Sequence, residues 1–160
     1  MKLVGFILSK NNADLLETSV KKIPACINQI FISDDKSTDN PELIASKLKI
    51  PIFKNTFSPG YGGNVKNALN IAFNNFDADY AVEIHGDGAQ FHPKATEYAL
   101  SMMEDKSADL ICGSRFLKFK ENIKLGYPLV RMLPNIIISF FERLILKIPI
   151  SDFHQGFKIY

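Results

Sequence analysis

Cysteine is scarce in this sequence, which limits where in the cell the protein is expected and which metal sites it can form. Among 160 residues only Cys26 and Cys112 carry thiols. They lie far apart among apolar neighbours, and their spacing matches no metal-binding motif. Two isolated thiols are typical of a protein in a reducing cytoplasm. We therefore expect a cytoplasmic protein without a cysteine-bound metal.

The net charge is also low, and the apolar runs are short. The formal net charge is only +2, too little to argue for nucleic acid as a partner. The first apolar run, residues 3–8, is too short for the core of a signal peptide. Charged side chains interrupt the apolar segment near the C-terminus before it reaches the roughly 18 residues of a membrane span. With 46% hydrophobic residues and no internal repeat, the chain fits one soluble domain with a core.

Strand and helix patterns alternate along most of the chain. Such alternation predicts βαβ units with right-handed crossovers, and therefore an α/β fold with a mostly parallel sheet. Asp39, Asn40 and Pro41 resemble a helix start in which Asp39 is the cap. The predicted strands cover residues 3–8, 27–33, 50–54, 80–84 and 109–112, and the predicted helices cover about 13–23, 41–48, 64–75 and 93–105.

Residues 129–148 form a different pattern. Apolar side chains recur every three or four residues, which predicts an amphipathic helix interrupted or kinked near Pro134. Basic residues outnumber acidic ones between Arg115 and Lys147. A basic amphipathic helix favours a membrane surface or a phosphate-bearing lipid as its partner. The alternative is an ordinary core helix with solvated charges, which the pattern alone slightly favours.

Polar clusters follow four of the predicted strands. Each cluster by itself is typical of an ordinary turn. Asp34 and Asp39 are expected to be turn and cap residues rather than ligands. The carboxyl ends of parallel strands, however, meet at one edge of a sheet, where ligands bind. Carboxylates there can hold a divalent cation on a diphosphate, and a glycine loop before a helix offers N–H groups to phosphate. In chain order the clusters are Asp34-Asp35, residues 60–64, His85-Gly86-Asp87 and Arg115.

These clusters lie in longer segments that resemble glycosyltransferase family 2. ISDDKSTDN resembles the acidic segment of that family, NTFSPGYGGNVKNAL its glycine loop and helix, and HGDGAQFHP its metal-binding DxD region. DLICGSRF resembles its strand leading to Gly-Ser-Arg, and SDFHQGFKIY its acceptor segment. The matches follow the family order and cover nearly the whole chain. Within the family, YPLVRMLPNIIISFFERLIL resembles the basic stretch of the polyprenyl-phosphate, dolichol-phosphate mannose synthase-like branch.

The resemblance implies a GT-A (Rossmann-like) fold and an inverting transfer from a nucleotide-diphospho-sugar. It divides the single domain into a nucleotide-sugar-binding part, residues 1–115, and an acceptor-side part, residues 116–160. The branch implies a polyprenyl phosphate acceptor at the inner face of the cell membrane, in envelope polysaccharide or glycolipid synthesis. The oligomeric state stays open. The implied site residues are Asp35 on the nucleotide; Gly62, Gly63, Lys66, Gly86, Gln90 and Arg131 on substrate; Asp87 and His85 on Mg²⁺ or Mn²⁺; Arg115 on phosphate; and Asp152 near the acceptor as a general base.

The sequence departs from the family pattern at several places. His85 replaces the first aspartate of DxD, and histidine suits Mn²⁺ better than Mg²⁺. The alternatives for His85 are a hydrogen bond to the donor or a role in packing alone. Ala89 adds one residue before Gln90, and Lys158 replaces the usual arginine. The chain ends at Tyr160, where family members continue, so we expect a truncated C-terminal part.

Three other functions stay open on the sequence. The first is a non-catalytic domain that binds a nucleotide sugar or a lipid phosphate. The second is a transferase with a sugar hydroxyl as acceptor, for which Asp152 would be needed as a base. The third is a flavodoxin-like phospho-acceptor domain, which ranks last because the acidic pair follows the second strand rather than the first.

Overall fold

The computed structural model describes residues 1–88, 93–103, 108–124 and 128–160. Helices and strands alternate through most of this chain, as the sequence predicts. In order the elements are β1 (Leu3–Ser9), α1 (Ala13–Val20), β2 (Gln29–Asp34), α2 (Pro41–Leu48), β3 (Ile52–Lys54), α3 (Tyr61–Asn74), β4 (Tyr80–His85), α4 (Pro93–Met103), β5 (Ile111–Cys112), α5 (Phe119–Lys124), α6 (Leu129–Leu146) and β6 (Lys158–Ile159).

The six strands form one mixed sheet in the order β3-β2-β1-β4-β6-β5. β1 is parallel to β2 and β4, and β2 is parallel to β3. β6 is antiparallel to both β4 and β5. The predicted α/β fold with a mostly parallel sheet is therefore confirmed. Successive strands run outward from β1 in one direction and then from β4 in the other, so a crevice opens between the carboxyl ends of β1 and β4.

The sheet has an apolar core on each face because β1 is buried on both. Leu3 and Ile7 belong to the core beneath α1, α2 and α4, whereas Val4 and Phe6 belong to the core beneath α3. On the α3 side aromatic rings pack closely, with the rings of Phe31 and Phe76 stacked at 5.1 Å. This packing holds α3 and the residues after its C-terminus against the sheet.

Two helix starts differ from the sequence prediction. Asp39 caps α1 rather than α2, because its Oδ2 accepts a hydrogen bond from the Ala13 amide at 2.7 Å. Asn40 is the N-cap residue of α2 without a side-chain cap bond. α3 begins at Tyr61, three residues earlier than predicted, because Gly60 adopts a φ of +101° and turns the chain into the helix there.

Helix α6 runs unbroken through Pro134, so of the predicted interruption or kink the interruption does not occur. Met132 and Ser139 face the protein and are buried. Most of the other apolar side chains are exposed instead, so within the described residues α6 does not pack as an ordinary core helix. No helix in the described residues is long and apolar enough to cross a membrane. The exposed apolar residues are Val130, Leu133, Ile137, Ile138, Phe140, Phe141, Leu144, Ile145 and Leu146, with Ile148 just beyond the helix.

Candidate functional site

A cavity of about 200 Å³ opens in the crevice between β1 and β4. Its walls are the chain after β1, the residue after β2, the start of α3 and the end of β4. This is the place where an open α/β sheet binds its ligand. The lining residues are Leu8, Ser9, Lys10, Asn12, Asp35, Tyr61, Asn64, His85, Gly86 and Asp87.

Asp35 accepts three hydrogen bonds at one wall of this cavity. Its Oδ2 accepts hydrogen bonds from Lys10 Nζ and from the Gly60 amide, both at 2.8 Å. Its Oδ1 accepts one from Asn55 Nδ2 at 2.8 Å. Burial alone would raise the pKa of Asp35, but these donors outweigh it and hold the pKa below its usual value. The carboxylate therefore stays ionised and ties the start of α3 to the end of β2.

A second set of polar contacts holds α3 over the sheet. Ser33 Oγ donates to Asn64 Oδ1 at 2.7 Å and accepts from Asn67 Nδ2 at 3.0 Å. Asn64 Nδ2 also donates to the Ser33 carbonyl at 2.9 Å. All three residues are buried. The first turn of α3, which forms one wall of the cavity, is thus fixed by satisfied buried polar groups.

Asp34 behaves as predicted for a turn residue. Its carboxylate accepts from the Ser37 amide, at 3.2 Å to Oδ2. It is buried and does not belong to the described cavity lining. Of the two adjacent aspartates, the geometry therefore brings Asp35 to the cavity.

The end of β4 brings His85, Gly86 and Asp87 to the opposite wall. Gly86 packs so closely that a Cβ there would overlap the Leu8 carbonyl oxygen and the Asn12 side chain. Its carbonyl accepts from Ser19 Oγ at 2.7 Å. Gly86 thus lets β4 end tightly against the chain that follows β1, and this close approach sets the width of the crevice.

The donor set at this wall fits a divalent cation that has few protein ligands. Asp87 and His85 line the same cavity and lie two residues apart. Within the described part of the chain, no cluster of three His, Cys, Asp or Glu side chains forms. Nε2 of His85 is buried and lies 3.2 Å from Glu83 Oε1, without a well-aligned hydrogen bond to a described residue, so Nδ1 is the ring nitrogen left for a cation. A cation bound on a diphosphate commonly takes one or two protein ligands and completes its shell with phosphate oxygens and water, which this pair can accommodate.

The remaining predicted substrate residues are not brought to the described lining of this cavity. Gly62 and Lys66 are exposed on α3. Gly63 is buried, and a Cβ there would overlap the Ser58 carbonyl oxygen. Gly63 therefore packs against the loop that precedes α3. Gln90 lies outside the described residues, as does the side chain of Arg131.

Arg115 and Asp152, predicted for separate contacts, bind each other. Arg115 Nε donates to Asp152 Oδ2 at 2.7 Å and Nη2 donates to Oδ1 at 2.8 Å. The backbone amides of Arg115 and His154 also donate to this carboxylate. Burial raises the pKa of Asp152, but the Arg115 hydrogen bonds and charge outweigh it and leave the pKa below its usual value. A fully bonded carboxylate with a lowered pKa is a weak base.

Sequence reasoning missed Glu83, although it is a carboxylate inside an apolar strand. Its side chain is fully buried on the α3 face of β4. It accepts hydrogen bonds from Tyr61 at 2.5 Å and from Tyr160 at 3.1 Å. Burial raises the pKa of Glu83, while His85 and Tyr61 lower it by more. The signal that could have found it is the charge itself, at a position where the strand is otherwise apolar.

Lys10 was also missed, because a lysine after a strand is ordinary in sequence. Its ammonium group contacts Asp35 from the β1 side, and it donates to the Asp35 carbonyl at 3.2 Å as well. It lines the cavity although more than half of its side chain is exposed. Only the parallel pairing of β1 with β2 reveals that these two residues meet.

Comparison with known proteins identifies the family and the fold. The family model described as "Glycosyl transferase family 2" matches residues 6–160. No curated protein matches the chain significantly. A similar solved structure is glucosyl-3-phosphoglycerate synthase from Mycobacterium tuberculosis in complex with phosphoglyceric acid. Its TM-score is 0.70 at 15% sequence identity, and the match covers 99% of this chain and 56% of that chain.

Two further solved structures are similar. The same enzyme in complex with Mn²⁺, UDP and glucosyl-3-phosphoglycerate has a TM-score of 0.68 at 13% identity, with 99% of this chain and 56% of that chain covered. Mannosyl-3-phosphoglycerate synthase from Rubrobacter xylanophilus has a TM-score of 0.50 at 20% identity, with 59% and 33% covered. This chain therefore spans between 33% and 56% of the length of these structures. Likeness at such low identity shows the fold, and the predicted GT-A fold is confirmed.

Proposed function

The chain belongs to glycosyl transferase family 2, and from that premise we propose that it transfers a sugar from a nucleotide-diphospho-sugar to an acceptor. The cavity between β1 and β4 would be its donor site. One observation carries this: Asp35, His85 and Asp87, from two different strand ends, line one cavity of about 200 Å³. That cavity lies where α/β sheets of this topology bind nucleotides.

Asp35 would bind the base or ribose of the donor. Its carboxylate accepts three hydrogen bonds within the protein. A carboxylate has about four acceptor positions, so one remains for a ring N–H or a ribose hydroxyl. Lys10 adds a donor beside it, which suits a carbonyl or hydroxyl oxygen of the same nucleotide.

Asp87 and His85 would hold a divalent cation on the diphosphate. The bound cation would supply positive charge to the leaving nucleoside diphosphate. The similar glucosyl-3-phosphoglycerate synthase forms a complex with Mn²⁺ and UDP, and a histidine ligand also favours Mn²⁺ over Mg²⁺. The walls of the cavity keep the diphosphate between the start of α3 and the end of β4.

Transfer would proceed by direct displacement with inversion. The acceptor oxygen attacks the anomeric carbon, and the bond from that carbon to the diphosphate oxygen breaks. The protein contributes position and charge rather than a covalent intermediate. Asp152 holds the guanidinium of Arg115 through two hydrogen bonds, and Arg115 would meet the acceptor phosphate.

A phosphate acceptor suits this pair better than a hydroxyl does. A phosphate oxygen is already ionised near neutral pH, so no base is required. A hydroxyl acceptor would need one, and Asp152 is fully occupied by hydrogen bonds and has a lowered pKa. We propose polyprenyl phosphate as the acceptor because α6 exposes apolar side chains and lies next to residues 151–160, where the Phe153 amide donates to Ser139 Oγ of α6.

A nucleotide panel tests the donor assignment. UDP and GDP, each with Mn²⁺, should raise the melting temperature of the protein, because a ligand that binds only the folded state stabilises it. At a concentration of about 100 Kd the gain is about 2.7 kcal/mol, or roughly 5–10 °C for a chain of this size. If no nucleoside diphosphate raises the melting temperature, the proposed donor site is wrong. Binding without transfer by the full-length protein would favour the non-catalytic alternative.

A liposome experiment tests the acceptor. Anionic liposomes with polyprenyl phosphate should be glycosylated, and Ile145→Glu on α6 should reduce both liposome binding and transfer to the lipid. Leu43→Glu is the matched control, because Leu43 is equally exposed on α2, far along the chain from α6. Transfer to soluble phosphoglycerate, with the lipid ignored, would exclude the polyprenyl acceptor and leave the glycosyltransferase assignment intact.

A further inference from the structure

Glu83 is an unusual residue for its position. It occupies the centre of β4, on the face where its neighbours Ala81 and Phe6 form an apolar core. Its carboxylate is fully buried. A buried carboxylate lowers stability unless donors surround it, and an apolar side chain of the same size is often as stable or more so. The partners that satisfy Glu83 therefore indicate what the charge does there.

The first set of partners belongs to the donor cavity. Tyr61, the first residue of α3, donates its hydroxyl proton to Glu83 Oε1. Nε2 of His85 lies 3.2 Å from the same oxygen. The rings of Tyr61 and His85 stack with centroids 6.0 Å apart, and both residues line the cavity.

The second set belongs to strand β6 and the residue after it, which lie within the acceptor-side part, residues 116–160. The Tyr160 hydroxyl donates to Glu83 Oε2 at 3.1 Å. Lys158 Nζ donates to the Tyr61 hydroxyl at 3.3 Å and lies over the Tyr61 ring. Tyr160 is not part of the described lining of the cavity, so it can act on that cavity only through Glu83 or the sheet.

We propose that Glu83 is a positioning residue of the donor site, which joins the cavity wall formed by Tyr61 and His85 to strand β6. This inference rests on the proposed function, because it assumes that the cavity binds a nucleoside diphosphate. The carboxylate fixes Tyr61 and His85 in the orientation that the donor meets. Tyr160 fixes the carboxylate in turn, and Lys158 fixes the Tyr61 hydroxyl, so β6 and the residue after it contribute to donor affinity without touching the donor.

A purely structural role makes a different prediction. If Glu83 only stabilises the sheet, its removal lowers the melting temperature but leaves the affinity of the remaining folded protein unchanged. If it positions the cavity wall, affinity falls at a temperature where every variant is fully folded. The affinity for a nucleoside diphosphate therefore separates the two roles.

The experiment measures the Kd of UDP and of GDP, each with Mn²⁺, by calorimetry well below the melting temperature. Glu83→Gln keeps the side-chain size and should weaken binding about tenfold, the effect of one lost hydrogen bond to a charged group. Tyr160→Phe removes only the hydroxyl and should weaken binding several-fold, although Tyr160 lies outside the cavity. Val82→Ala is the matched control, since Val82 is the neighbouring buried residue of β4 on the opposite face; it should lower the melting temperature alone.

A double variant tests whether Glu83 acts through Tyr61. Effects of residues that act through one contact are not additive, so Glu83→Gln combined with Tyr61→Phe should lose no more affinity than the larger single effect. Unchanged affinity in both Glu83→Gln and Tyr160→Phe would overturn the inference while the proposed function stands. If Glu83→Gln does not fold, Tyr160→Phe decides alone. If the wild-type protein binds neither nucleotide, the proposed function fails and the inference fails with it.

Discussion

Replacing Asp35 by asparagine removes one charge from the donor cavity and preserves the side-chain size. If Nδ2 takes the place of Oδ2, it faces Lys10 and the Gly60 amide, which are both donors. If it takes the place of Oδ1, it faces the Asn55 amide group, another donor. Either orientation sets a donor against a donor at a buried position. Such a mismatch costs about 1–3 kcal/mol, or about 2–12 °C in melting temperature for a domain of this size.

Nucleotide affinity should fall separately from stability. The proposed hydrogen bond from the base or ribose needs a carboxylate oxygen as its acceptor. Its loss at a buried site costs about 1–3 kcal/mol, which is about 5–150-fold in Kd. Titration calorimetry with UDP and GDP in the presence of Mn²⁺, below the melting temperature of both proteins, measures this change directly.

Asp34→Asn is the control for this experiment. Asp34 is as buried as Asp35, but it accepts from the Ser37 amide and does not belong to the described cavity lining. The control should lose stability and keep its nucleotide affinity. Wild-type affinity in Asp35→Asn together with weakened binding in Asp34→Asn would refute the assignment of Asp35.

Three further predictions concern the metal site, the Arg115–Asp152 pair and the start of α3. Asp87→Ala should abolish the Mn²⁺-dependent part of UDP binding with an unchanged circular dichroism spectrum, whereas equal affinity with and without EDTA would contradict the metal assignment. Asp152 has a lowered pKa in the folded protein, so its stabilisation is complete above the ordinary carboxyl pKa of about 3.9 and is lost as the pH falls through the folded value. Asp152→Asn should therefore lower the melting temperature at neutral pH and flatten its fall below pH about 4; parallel acid curves would contradict this. Gly63→Ala should destabilise α3, because its methyl group would overlap the Ser58 carbonyl oxygen. Gly62→Ala has open space around it and should stabilise the helix by about 0.5–1 kcal/mol. Equal melting temperatures for the two variants would show that the close approach of Gly63 to Ser58 is unimportant.

The sequence by itself determined the order and type of most elements. Strand and helix periodicities are local properties of a few residues, so β1, α2 and β4 could be predicted nearly to their ends. The polar residues that end the parallel strands were equally visible, and the shared edge of a parallel sheet brought Asp35, His85 and Asp87 together as expected. The resemblance to glycosyltransferase family 2 was seen in the segments that contain these residues, and the family is confirmed over residues 6–160.

Tertiary structure decided which polar group meets which. Arg115 and Asp152 are 37 residues apart, and Glu83 binds partners 22 and 77 residues away. Contacts of this kind join residues from distant parts of the chain, and a local pattern does not show which strands pair or which side chains meet across them. The same reason applies to α6: its amphipathic pattern is local and does not tell which face will pack on the protein, and only the tertiary structure shows Met132 and Ser139 buried and most of the other apolar side chains exposed.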